Sequence, residues 1–246
     1  APALTATTVM RRHVTYDVID VASGEGAVVG LQRALSPRGQ TAIVSRSHGL
    51  EHRHYANLLQ DHDNGLRRKG WHRRWWYPMV RLSQVALAAR LADRLIVLNA
   101  GDAEYATAHR WKPPEAINIV PHGVAARFRE TAVSTGAERG GGILFCGTWV
   151  AMEGVRDLAM AFSNLVTAMP AARLTVLGPG VPDEIVLADF APHARAAVTV
   201  VPRVGEDEVM RYYRIHYMLV MSSTYEGFGM VILEAMAAGV PVAASR

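Results

Sequence analysis

The chain has 246 residues, 50% hydrophobic and 20% charged, an ordinary globular composition that excludes disordered, collagen-like and low-complexity proteins. Its length fits one large domain or two modest ones, and its single cysteine, Cys146, excludes an intrachain disulfide framework or a multi-cysteine metal site. A formal charge of +4 is too small an excess at this length to indicate nucleic-acid binding. No stretch approaches the roughly 18 uncharged apolar residues of a membrane span. The start, Ala-Pro-Ala-Leu-Thr-Ala, lacks the basic-then-apolar pattern of a signal peptide, so a cytoplasmic location is expected.

In chain order, apolar runs at Tyr16–Val21, Thr41–Val44, Arg94–Leu98 and Ile117–Val120 predict strands, with helices over Val28–Leu35, Met79–Asp93 and Asp102–Trp111 between them. The second half is more regular. Strands are expected at Gly142–Cys146, Arg173–Leu177, Val198–Val201, Met218–Met221 and Val240–Ala243. Helices are expected at Val155–Met169, Asp183–Ala197, Glu206–Ile215 and Met230–Ala238. Short apolar strands alternating with longer helices mean βαβ units, parallel sheets and an α/β fold. The polar stretch Ala125–Gly141, rich in Arg, Glu and Gly, is expected to be a linker. It divides the chain into two Rossmann-like domains, residues 1–125 and 126–246. Ligands of such sheets bind at the carboxyl ends of the strands, and the cleft between two sheets is the expected site.

The most informative segment runs from Ser222 to Val242. It leaves a strand, passes through a turn with Gly227 and Gly229, and opens a helix. Glycines remove side chains where backbone N–H groups must approach a ligand, and a helix N-terminus adds partial positive charge, a phosphate-binding arrangement. Glu226 stands in the turn and Glu234 eight positions later, where carboxylates can grip sugar or ribose hydroxyls.

This segment resembles the E-x7-E motif of retaining GT-B glycosyltransferases of family 4, the glycosyl transferases group 1. Ile143–Trp149 with Glu153-Gly154-Val155 resembles that family's first strand and loop of the second domain. Ile119-Val120-Pro121-His122-Gly123-Val124 is similar to its interdomain stretch, and His48-Gly49 to its HG turn. The resemblance implies a GT-B fold and transfer of a sugar, with retention, from a nucleotide-diphosphate donor to an acceptor it does not identify. By position it implies that Glu226 holds the donor sugar and that Gly227, Phe228 and Gly229 present backbone to sugar and diphosphate. Glu234 then binds the ribose, Met230 and Val231 line that pocket, Arg203 and Val204 contact the base, and His48 faces the transferred sugar. No protein nucleophile is implied, and no metal or other cofactor.

Two departures stand against this. The family's arginine after the glycine matching Gly147 is Thr148 here, and its lysine before the glycine matching Gly154 is Glu153. An anion beside a diphosphate weakens its binding; Arg156 is a nearby candidate to compensate. The family also has further strands before Tyr16–Val21, including a glycine-rich loop for which Gly24-Glu25-Gly26 is a candidate stand-in. It continues beyond Val240–Ala243 as well, so both domains are expected to be incomplete. The alternative is a non-catalytic module that binds a nucleotide sugar or a membrane surface. The run Arg67–Tyr77 concentrates charge and three of the five tryptophans, which suggests an interface with anionic lipid or a phosphorylated acceptor, or else a loop leading into a helix whose aromatics anchor in the core. His48 and His52, with His54, Asp61, His62 and Asp63 nearby, share a face only if their segment is helical, and exposed polar loop residues are expected instead. Cys146 is expected to be an inert core residue.

Overall fold

The computed structural model describes residues 16–35, 41–63, 76–130 and 140–245, except the side chains of residues 57, 58 and 60–63. Its contacts divide the chain into two units, Ala1–His122 and Gly123–Arg246, against the 125/126 boundary expected.

The first unit alternates β1 (Val18–Ala22), α1 (Gly26–Leu35), β2 (Ala42–Arg46) and α2 (Glu51–Asp63). A π-helical stretch, Tyr77–Leu82, then runs into α3 (Ser83–Leu91), followed by β3 (Arg94–Val97), α4 (Ala100–Ala108) and β4 (Ile117–Ile119). The four strands are parallel in the order β1-β2-β3-β4. Val21, Val29, Ile43 and Ala92 form one buried cluster, and Leu50, Val85, Leu95, Val97 and Trp111 belong to a second.

The second unit holds α5 (Ala126–Glu130), β5 (Ile143–Cys146), α6 (Val155–Ala168), β6 (Leu174–Leu177) and α7 (Asp183–Ala188). After them come β7 (Val198–Val201), α8 (Glu206–Ile215), β8 (Met218–Met221), α9 (Met230–Ala237) and β9 (Val242–Ala244). Its parallel sheet has the order β7-β6-β5-β8-β9. All four residues of β6 are buried, as a strand covered on both faces requires. On α6 the buried Val155, Leu158, Ala159, Phe162 and Val166 recur at helical spacing and form one apolar face. The chain winds outward from β5 to β7 and then crosses back to β8, so the strand order reverses beside β5. That reversal opens a crevice at the carboxyl ends of the strands.

Three expectations need correction. The helix expected over Asp183–Ala197 ends at Ala188, and Pro192 opens a separate 3-10 turn, Pro192–Ala197. Proline has no N–H to continue the ladder and forces Ala191 out of the helical region, to φ −58°, ψ 145°. The segment after His48 is a helix, α2, from Glu51 onward; its polar composition hid the period. The stretch expected to be a linker begins with α5, whose Phe128 is buried in the second unit's core beside Tyr213. Of that stretch, residues 131–139 lie outside the described residues, as do residues 67–75 of the basic aromatic run. Among the described residues no helix is long and apolar enough to cross a membrane.

Candidate functional site

The second unit forms a cavity of about 360 Å³ outside the carboxyl ends of β5, β6 and β7. That volume is in the range of small-molecule sites. Gly147 and Thr148 reach it from the end of β5, Arg203 and Val204 from the end of β7, and Val231 and Glu234 from α9. The sequence marks all six as donor-binding candidates. Cys146, Leu177, Gly178, Glu206 and Val209, which the sequence does not single out for this site, complete the lining. Leu177, Gly178 and Val209 carry no chemical signal in sequence; their positions, at a strand's carboxyl end and on a helix start, were the available clue.

Glu234 is held from behind. The Tyr213 hydroxyl, on the fully buried side of α8, donates to Glu234 Oε2 at 3.2 Å. Partial burial raises the Glu234 carboxyl above its usual range, against the Tyr213 hydrogen bond; Glu206 adds to the rise and Arg127 opposes it. Arg127 and Glu206 are ion-paired with each other. Cys146 is part-buried and lines the cavity, where the core position expected would have hidden it. Burial chiefly, with the Glu234 charge, pushes its thiol up to about 11, so it stays protonated near neutrality.

Glu226, Gly227, Phe228, Gly229 and Met230 do not line this cavity. They make the turn that leads into α9, with Gly229 left-handed at φ 73° as the residue before the helix. The Gly229 N–H donates to Glu226 Oε2 at 3.2 Å. Glu153, at the end of a 3-10 turn, is tied to the same loop: Ser223 Oγ donates to its Oε2 and Ser222 Oγ to its backbone carbonyl, both at 2.7 Å. Gly154 follows with φ 62°, and a Cβ there would fall 1.9 Å from the Ser222 carbonyl oxygen. No other residue allows this close approach of the two loops. Loss of water around part of Glu226 raises its carboxyl, and the neighbouring Glu153 carboxylate raises it further. Among the described residues neither acid is ion-paired with an arginine or lysine, and Arg156 is exposed without an ion pair.

In the first unit His48 is exposed in the turn between β2 and α2. Its ring stacks on His122, with centroids 5.6 Å apart and planes 13° apart. His52 instead packs edge-on against Trp111 at 4.5 Å. Among the described residues no three His, Cys, Asp or Glu side chains gather as a metal site. The loop after β1, holding Gly24, is closed by a clamp. Arg81, from the π-helical stretch, donates from Nε at 2.8 Å and from Nη2 at 2.6 Å to Glu51, which also accepts from Ser23 Oγ at 2.7 Å and Tyr77 at 3.1 Å. Burial pushes Glu51 up, but these donors outweigh it and hold the carboxyl below its usual range. A Cβ on Gly24 would lie 3.1 Å from Arg81 Nη1, so that loop backs onto protein. A larger groove of about 550 Å³ beside α4 and β4 has, among the described residues, a mostly apolar lining in which Glu104 is the one charged residue.

Residues 140–246 match the family model described as Glycosyl transferases group 1. A D-inositol 3-phosphate glycosyltransferase of Pseudarthrobacter chlorophenolicus is 32% identical over 167 residues, 63% of this chain and 40% of that one. The enzyme of that name from Streptomyces scabiei is 30% identical over 186 residues, 68% of this chain and 42% of the relative. The chain thus spans less than half the length of these curated relatives. Among solved structures, sucrose-phosphate synthase from Thermosynechococcus elongatus is similar with a TM-score of 0.65 and 20% identity, over 98% of this chain and 59% of its own. The lipopolysaccharide outer core galactosyltransferase WaaB, in its apo form, gives a TM-score of 0.68 at 17% identity, over 99% and 60%. At such identities the likeness is one of fold. Residues 140–246 thus match the glycosyl transferases group 1 family, and the chain has the two-sheet α/β fold of GT-B glycosyltransferases.

Proposed function

We propose that this chain carries the donor-binding part of a retaining glycosyltransferase that moves a sugar from a nucleoside diphosphate to an acceptor. The observation that supports it most is the second unit's cavity, which gathers Gly147, Thr148, Arg203, Val204, Val231 and Glu234 at the reversal of strand order. In this reading Arg203 and Val204 face the base, Glu234 the ribose with Met230 and Val231 beside it, and Gly147 and Thr148 the diphosphate. Glu226 and the turn Gly227-Phe228-Gly229 meet the sugar and its phosphates, and His48 meets the transferred sugar. The acceptor oxygen bonds to the anomeric carbon as the bond to the diphosphate breaks on the same face, and the leaving phosphate oxygen takes the acceptor's proton. No metal or cofactor enters this reading. The name of the relatives makes D-inositol 3-phosphate the acceptor to try first.

Thermal melting against UDP-, GDP- and ADP-sugars tests it. A donor at 100 times its dissociation constant adds about 2.7 kcal/mol to a two-state fold. One of the three is expected to raise the melt, and Glu234→Ala to abolish the rise; no shift with any of them would sink the proposal. A second reading, a nucleotide-sugar-binding module without turnover, is favoured by one observation. Glu153, an acid near the expected diphosphate position, acts on Glu226 as a like charge. Binding with no transfer or donor hydrolysis would select it. Peripheral contact with anionic membrane is proposed from the Arg67–Tyr77 run and from Trp76 and Met79, which are 63% and 72% exposed; failure to bind anionic liposomes at low salt would end it.

A further inference from the structure

Tyr213 lies behind the cavity, not in it. It sits on α8 with no exposed surface, and nothing about a buried tyrosine in a helix between Met210 and His216 marks it as functional. Its hydroxyl nevertheless has two polar neighbours, and both belong to the cavity wall. It donates to Glu234 Oε2 at 3.2 Å, and the Cys146 thiol neighbours it. A phenol has one proton to give. With that proton committed to Glu234, the phenol has none left for the thiol, and the three groups link β5, α8 and α9. Among the described residues Oε1 of Glu234 has no protein partner.

Glu234 sits on α9, whose first turn is the Gly229 bend, and a glutamate has three side-chain torsions to restrict. An unheld carboxylate there would sample several rotamers. We propose that Tyr213 is a positioning residue for donor binding: by taking Oε2 of Glu234 it turns Oε1 toward the cavity, where it accepts from the vicinal 2′- and 3′-hydroxyls of a ribonucleoside diphosphate. The inference rests on the donor reading above. It makes the site selective for ribose over deoxyribose through a residue that never touches the ligand. Holding a carboxylate by a hydrogen bond also keeps it ionised, as an acceptor of two hydroxyls must be. The charged groups acting on Glu234 from the neighbouring elements are Glu206 on α8 and Arg127 on α5, and they act in opposite directions.

Tyr213→Phe removes only the hydroxyl and leaves the ring in the core. Calorimetric titration of the whole chain with UDP, GDP and ADP, and with their 2′,3′-dideoxy counterparts, tests the proposal. For the nucleotide that binds, Tyr213→Phe is expected to weaken the ribose form roughly five- to tenfold, the size of one hydrogen bond to a charged group lost. The dideoxy form, which has nothing to give Glu234, should bind wild type and variant alike. Equal weakening of both forms would make Tyr213 merely structural, and no weakening of either would overturn the proposal outright. Failure of every nucleotide to bind wild type would instead overturn the donor reading. A ligand-free measurement stands beside it: in a carbon-13 titration of glutamate side chains, Tyr213→Phe should move the Glu234 midpoint upward. An unchanged midpoint in a variant that melts normally would show that the hydroxyl does not hold the carboxylate.

Discussion

The first unit pairs four of its carboxylates with arginines, whereas the second, besides its exposed Arg127–Glu206 and Arg211–Glu208 pairs, keeps three acids without one. In the first, Asp20, Glu51, Asp93 and Asp102 each pair with an arginine, Arg46, Arg81, Arg33 and Arg53. Asp93, like Glu51, is held below its usual range: burial opposes this, but Arg33 and the Ile43 N–H outweigh it. In the second unit Glu153, Glu226 and Glu234 have hydroxyl or backbone partners and, among the described residues, no arginine at ion-pair distance. Glu226 and Glu234 are raised, chiefly by burial. The strand orders differ in the same sense, 1-2-3-4 without reversal against 7-6-5-8-9 with one. A carboxylate that has its cation stabilises the fold; one left without a cation beside a crevice carries a cost that binding can recover.

The largest test of this contrast is Arg81→Met. It strips Glu51 of two charge-assisted hydrogen bonds in a part-buried site, and should cost the first unit about 2–3 kcal/mol. Hydrogen exchange resolved by unit would read that loss in the first unit and none in the second; an even loss would break the contrast.

Acid should separate the units next. Burial chiefly pushes His52 down to about 4, with Glu51 opposing, against a usual value of 6.5. A histidine lowered in the folded state contributes stability that is full above its unfolded value and is lost as pH falls through the folded one. Between pH 6.5 and 4 the first unit should therefore lose about 1–2 kcal/mol, the full linkage being discounted because the ring is part exposed. Glu226 and Glu234 have the opposite sign: raised in the folded state, they favour it most at low pH and lose that advantage as pH rises through their own titration. Exchange rates corrected for intrinsic pH dependence should show the first unit weakening on acidification, with His52→Phe removing the histidine share of that loss; in the second unit burial lowers His216 in the same way, and the raised Glu226 and Glu234 should offset part of its loss.

The smallest expected effect is Glu226→Gln. The amide still accepts from the Gly229 N–H and no longer repels Glu153, so the second unit's stability should stay within about 0.5 kcal/mol of wild type or rise. A chemical-denaturation midpoint well below wild type would mean that Glu226 is a structural residue after all.

The α/β class, two parallel sheets and nine strand positions followed from the alternation of short apolar runs with helical periods, because burial on both sheet faces writes itself into composition. The strand–turn–helix around Glu226 and Glu234 was legible for a related reason: glycines at a helix start carry a backbone requirement that few other sequences meet. What the sequence left undetermined was relational. α2 was hidden because a polar helix has little period to detect, and the break at Pro192 was readable from proline but outweighed by the apolar period around it. Which strand neighbours which, and hence that Gly147, Arg203 and Glu234 share a cavity while Glu226 lies outside it, depended on the crossover from β7 to β8. So did the approach of Glu153 to the Glu226 loop and of Tyr213 to Glu234. These are contacts between residues as many as 70 positions apart, and a local pattern holds no record of them. Only packing the sheet brings Glu153 beside Glu226 and Tyr213 behind Glu234.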